Sequence, residues 1–249
     1  MDIFRFRINK IYLLSQIVPW EYLPGREEYF DAFHQEFPRE WRWIKERARK
    51  VVHDEDKGIF IVDTPDDIPR CSAEVKRFFV SVLRTKEFKM IVKETQESLF
   101  KVKKEWEKNQ RRALVEFCDI VRLPLDPSCA TVLITHPALP NGRNYPSQNA
   151  IGWTYRKDWK NYNTVYLMHE FLHLQTDGRF KREEVMHAIV ELATDNELKI
   201  RLGGTGSYFE DGHSGLRKLE KKIYPFWKKY LQKNKENLIQ FNRRMEKFV

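Results

Sequence analysis

A mostly helical α+β fold is what this sequence predicts, on three observations. Apolar residues recur at three- and four-residue spacings over most of the first 120 positions. Five prolines (Pro124, Pro127, Pro137, Pro140 and Pro146) then crowd around two short β-like runs, and helical spacing returns near residue 163. The chain has 249 residues, of which 41% are hydrophobic and 33% charged, which describes a folded chain with a polar surface and excludes a disordered one. That length supports a core without help from metal or disulfide.

In chain order, residues 3–8 read as a short strand, and helices follow over residues 41–52, 66–83 and 86–120. Pro65 followed by Asp66 and Asp67 suits a helix start, since carboxylates favour the positive end of the helix dipole. Residues 131–135 and 150–155 are the β-like runs, so a boundary is expected near residue 125, dividing a helical region 1–125 from a second domain 126–249. A helix over 163–176 is one that Gly178 can close. A second helix covers 182–201, a glycine-rich loop 203–215, and a long basic helix, bent or restarted at Pro225, ends the chain. No internal repeat is visible.

The chemistry lies in His169-Glu170-Phe171-Leu172-His173. Two histidines four apart share one helix face and can reach one ion, while the glutamate beside the first addresses a water on that ion. Given the chain's seven histidines, shuffling produces such a string roughly 0.02 times per chain, so context has to decide. The context is an amphipathic helical segment with Val165, Met168 and Leu172 as its apolar stripe. A catalytic zinc takes three protein ligands and leaves a position for water. Glu191, on the next helix, can be the third, with Asp195 one turn on accepting the other ring N–H of a ligating histidine. His187, one turn before Glu191, is the rival third ligand.

HEFLH followed by Glu191-Leu192-Ala193-Thr194-Asp195 resembles the gluzincin clan of zinc metallopeptidases, over about residues 130–200, and its short core is most similar to the minigluzincins. A third match is Asn149-Ala150-Ile151-Gly152, which resembles the edge strand on which gluzincins hold a peptide. The resemblance implies a zincin-like core with a small sheet and an active-site helix. It also implies zinc on His169, His173 and Glu191, with Asp195 behind them, and a peptide or unfolded protein as substrate. Glu170 would be the general base, taking the proton of a zinc-activated water and passing it to the leaving amine. Tyr208 or His213, on the glycine-rich loop, would stabilise the oxyanion, with Tyr155 and Tyr166 as further candidates. The metzincin pattern does not fit, because Thr176 and Arg179 stand where it needs glycine and histidine.

The net charge of +9 first suggests an acidic partner. Residues 217–249, however, hold eleven Lys or Arg against three Glu, so nearly all of the excess is in the terminal helix. With Tyr224, Phe226, Trp227 and Tyr230 interleaved, that helix could contact anionic phosphates, and a basic nucleic-acid- or partner-binding protein with a structural HEFLH is the alternative function. The competing expectation is that the aromatics pack on the core and the lysines stay in water. Three scattered cysteines fit a reducing compartment, and residues 11–20, interrupted by Ser15 and Gln16, lack a cleavage signature, so a cytoplasmic location is expected. No run approaches the roughly 18 apolar residues of a spanning helix. For the helical first half the one expectation is that Phe37, Trp41 and Trp43 roof a catalytic cleft.

Overall fold

The computed structural model describes residues 2–20, 23, 27–50, 61–126, 128–139, 142–232 and 236–249. Strand β1 (Phe4–Arg7) leads into helices α1 (Lys10–Trp20), α2 (Glu27–Glu36) and α3 (Pro38–Lys50). Helix α4 (Ala73–Arg84) is followed by the 36-residue α5 (Lys86–Val121). Strands β2 (Ala130–Ile134), β3 (Arg143–Tyr145) and β4 (Ala150–Trp153) come next. Helices α6 (Tyr162–Thr176), α7 (Glu183–Glu191), α8 (Lys199–Arg201), α9 (Arg217–Gln232) and α10 (Leu238–Phe248) complete the chain, a mostly helical α+β fold as expected. The end of the helix expected over 41–52 lies outside the described residues, as do Pro127 and Pro140.

Helices α1 and α2 lie where no helix was expected, and two later helices differ from expectation for local reasons. The segment expected as one helix over 66–83 begins as an isolated 3-10 turn, Pro65–Asp67. Ile68 is then extended at φ −71°, ψ 115°, because Pro69 disfavours the helical region for the residue before it. The helix restarts at Ser72, whose side chain accepts from the Val75 N–H. Pro225, by contrast, neither ends nor restarts its helix: α9 runs through it. Pro225 is exposed, where water can take the carbonyl its ring leaves unbonded.

The chain forms two compact units, and it passes between them more than once. Residues 2–101 and 129–155 make a sheet-bearing unit, while 102–128 and 156–249 make the other. The single boundary expected near 125 therefore corresponds to only one of the crossings. Helix α5 belongs to both, which a 36-residue helix without Gly or Pro can do.

In the sheet-bearing unit the strand order is β1-β2-β4-β3, with β1, β2 and β4 parallel and β3 antiparallel to β4. Gly152 lies where Tyr12 crosses, and a Cβ there would come within 2.1 Å of the Tyr12 hydroxyl, which pairs with the Tyr145 hydroxyl at 2.9 Å. The apolar core of this unit gathers Leu13, Ile17, Trp41, Phe78 and Phe79, with Phe37 and Trp43 packed against it. Phe78 meets the rings of Phe37 at 5.4 Å and Trp41 at 6.1 Å. The aromatic cluster expected as a roof is thus part of its own unit's core.

Two corrections concern β4. Expected as an edge strand, it is internal, with Ala150 opposite Thr131 on one side and Tyr145 on the other. Its four residues are all buried. The backbone of Ala150, Ile151 and Gly152 is committed to the sheet, and Asn149 precedes it at φ +45°. These residues do not offer the open edge that strand addition requires.

In the other unit, α5 supplies Glu105, whose carboxylate accepts from the Thr164 N–H at 2.8 Å and from Asn163 Nδ2 at 2.9 Å. It thereby satisfies the start of α6, whose own N-cap residue Asn161 makes no capping bond. Arg122 closes α9 in the same manner, donating to the carbonyls of Tyr230 at 3.0 Å and Leu231 at 3.2 Å. Trp227 and Tyr230 are buried, stacked at 5.0 Å, and pack on Phe241. Lys218, Lys221, Lys222, Lys228 and Lys229 are exposed. The terminal helix therefore packs its largest aromatics inward and leaves its charge in water, and these two rings are not free to stack on bases. No described helix is long and apolar enough to cross a membrane, and the three cysteines form no disulfide.

Candidate metal centre

Helix α6 buries Val165, Met168, Phe171 and Leu172, as its apolar stripe requires, and carries His169 (4% exposed) and Glu170 (8% exposed) into the interior. One turn apart, His169 and His173 bring their Nε2 atoms to 3.2 Å. The other nitrogen of His169, Nδ1, is 2.8 Å from Asp195 Oδ1. Asp195, expected behind a ligating histidine, lies against His169. Thr194 steadies the pair, its hydroxyl lying 3.2 Å from the same ring nitrogen and donating to the Val190 carbonyl at 2.7 Å.

The helix that presents Asp195 is not a plain α-helix. Between α7 and α8, Leu192–Leu198 widens into a π segment. Such widenings are rare and frequent at functional sites. Polar side chains stabilise this one by bonding carbonyls of the preceding turn: Thr194 takes Val190, and Asn196 Nδ2 takes the Glu191 carbonyl at 2.9 Å. The run Thr194-Asp195-Asn196-Glu197 inside an apolar helix is the signal that could have revealed it.

The glycine-rich loop is strapped along this segment. Tyr208 donates its hydroxyl to Glu197, Asn196 Oδ1 accepts from the Phe209 N–H at 2.6 Å, and Asp211 pairs with the buried Lys199. The His213 N–H then donates to Glu191 Oε1 at 2.9 Å, and His213 Nδ1 lies 2.5 Å from the same oxygen. Gly212 makes this approach possible: it sits at φ +83°, and a Cβ on it would fall 2.5 Å from Glu191 Oε2.

Ligating atoms of His169, His173 and His187 lie within 4.8 Å of one another, and so do those of His187, Glu191 and His213. The structure therefore joins His187, the rival third ligand, to the HEFLH histidines, and pairs Glu191 with His213. Tyr208 and His213, expected at the oxyanion, are committed to Glu197 and Glu191 respectively. Tyr166 instead stacks on His169 at 5.8 Å. Burial, reinforced by the charge of Asp195, holds its phenol well above the ordinary value, so it keeps its proton. Tyr155, which lies under Lys101 Nζ at 5.3 Å, and residues 149–152 belong to the sheet-bearing unit.

The electrostatics suit a cation. Burial drives His173 well below the usual imidazole value, and the neighbouring imidazoles add to it. Burial likewise takes His187 down to about 4. Both rings are neutral near pH 7, with lone pairs available. Burial opposes charge on His169 too, but the Asp195 carboxylate outweighs it and holds the ring up at about 9, so a cation binding at its Nε2 would have to displace a proton. Burial raises the Glu191 carboxyl, with His213 working against it. His187 Nε2 and Glu191 Oε2 are buried without a hydrogen-bond partner among the described residues. Unsatisfied buried acceptors of this kind cost free energy that a bound cation would return, so the donor set fits zinc.

Comparison with protein-family models, with curated proteins and with solved structures gives no match.

Proposed function

We propose that this chain is a zinc-dependent hydrolase of peptide bonds, centred on α6 and the π segment. The observation that carries the reading is the 2.8 Å contact between His169 Nδ1 and Asp195. It turns the Nε2 of His169 toward that of His173, as a metal-ligating histidine backed by a carboxylate requires. His169, His173 and His187 would hold the ion in the arrangement described, with Glu191 one turn from His187. Bound zinc supplies Lewis acidity that brings water's pKa toward neutrality.

The chain's own groups account for the rest of the reaction. Glu170, next to His169 and nearly buried, accepts the proton of the attacking water and returns it to the leaving amine. Tyr166, kept protonated beside His169, would donate to the developing oxyanion. Asp195 holds the tautomer and orientation of His169, and Thr194 holds Asp195. The substrate in this reading is a peptide or unfolded polypeptide.

The test is zinc content together with cleavage of an unfolded protein, comparing the native chain with Glu170→Gln. Stoichiometric zinc in both, with turnover lowered about 10²–10⁴-fold in the variant, is the expected result. A chain purified after zinc-replete expression that carries no zinc would sink the proposal.

A further inference from the structure

We infer that His213 is a positioning residue that decides which side chain of α7 completes the metal site: His187 while the strap is closed, and Glu191 once it is released. This rests on the metal-site reading above and concerns the third ligand alone. His187 and Glu191 are one turn apart on the same helix, with His187 Nε2 3.9 Å from Glu191 Oε1. Each carries a buried atom without a partner. Both are therefore within reach of one ion, yet a catalytic site has room for one of them beside His169, His173 and a water.

The strap makes the choice. Glu191 is fully buried, and its Oε1 takes both the backbone N–H and the Nδ1 of His213. Its Oε2 is closed over by Gly212. The carboxylate is thereby held in the group it forms with His187 and His213, while His187 is grouped with His169 and His173. Among the described residues no hydrogen bond holds His187 Nε2, and its ring is edge-on to those of His173 at 4.7 Å and His213 at 4.6 Å. The strap itself is fastened along the π segment by Tyr208, Phe209 and Asp211, so His213 is delivered to Glu191 by three anchors outside the metal group. If the strap lifts, both donors on Oε1 leave together, and the carboxylate becomes the stronger competitor for a dication.

The experiment measures zinc affinity of the full chain by chelator competition, and the visible spectrum of the cobalt-substituted protein. The variants are His187→Ala and Glu191→Gln, each with His213 present and with His213→Ala. His213 has a 64% exposed side chain, so its removal spares the fold. With His213 present, His187→Ala is expected to weaken zinc about tenfold or more and Glu191→Gln less than threefold. His213→Ala removes the side-chain donor and leaves the backbone N–H on Oε1, so the two losses converge. Gly212→Ala, which forces the strap off the carboxylate, reverses the order, and the cobalt bands shift as an oxygen donor replaces a nitrogen. Equal losses from His187→Ala and Glu191→Gln with His213 present would overturn the inference, as would losses left unchanged by His213→Ala or an order unchanged by Gly212→Ala. A tenfold loss from His213→Ala alone would also overturn it, by making His213 a ligand. A native chain that binds no zinc instead refutes the metal-site reading, a separate outcome.

Discussion

The two units differ in whether their interiors hold carboxylates. The sheet-bearing unit packs Leu13, Ile17, Phe78 and Phe79 into an apolar core. The other unit buries Glu170, Glu191, Asp195, Lys199 and Glu220 alongside its apolar residues. Burying a charge costs several kcal/mol unless partners compensate, so an apolar filling would stabilise this second interior more cheaply. Its polar groups are partnered instead: Asn196 Nδ2 donates to Glu220 and to the Glu191 backbone carbonyl, and the Glu191 carboxylate accepts from the His213 N–H. The second interior therefore depends on polar pairing where the first depends on apolar packing.

Substitutions can break or sharpen that contrast. The largest effect on stability is expected in the apolar core, where Phe78→Ala should cost about 3–5 kcal/mol in denaturant unfolding and leave zinc binding by the folded fraction unchanged. Asp195→Asn should do the reverse, weakening zinc about 10–100-fold in chelator competition with little change in unfolding midpoint. If Asp195→Asn proves as destabilising as Phe78→Ala without touching metal affinity, Asp195 is structural and the contrast fails.

Glu220 offers a finer test through pH. Burial, with Glu191 and Asp195 adding to it, raises its carboxyl from 4.5 to about 7. The folded chain thus binds a proton that the unfolded chain releases, and stability is lost as pH rises from about 4.5 to 7. Glu220→Gln removes this loss, so the variant should exceed the native chain by on the order of 2 kcal/mol at pH 8 and by nearly nothing at pH 4.5. A difference that is the same at both pH values would falsify this account. The smallest effect belongs to the exposed lysines: Lys221, Lys228 and Lys229 changed together to Gln should shift stability by no more than about 0.5 kcal/mol and leave zinc content intact.

Local features were legible in the sequence. The spacing of Val165, Met168 and Leu172 placed α6, and the positions of Glu191 and Asp195 one turn apart foretold the carboxylate behind His169. Features that depend on a distant partner were not. β4 looks like any short apolar run until β3, three residues long and set among prolines, pairs on its outer side. The π segment depends on side chains competing for carbonyls, which periodicity does not register. Tyr208 and His213 sit in a loop whose sequence allows many conformations, and only the anchors on Glu197, Asn196, Lys199 and Glu191 select one.

By itself the sequence determined the fold class, helices α5 and α6, the concentration of charge in the last 33 residues and the pairing of two histidines with a glutamate. Each follows from residues within a few positions of one another, where helical geometry alone sets the distance. Tertiary structure decided that β4 is internal, that Trp227 and Tyr230 are core, and that His187 rather than Glu191 stands with the HEFLH histidines. Those outcomes turn on which buried hydrogen-bonding groups find partners across long stretches of chain, and the partner of Glu191, 22 residues away on a folded strap, exists only once the chain has closed.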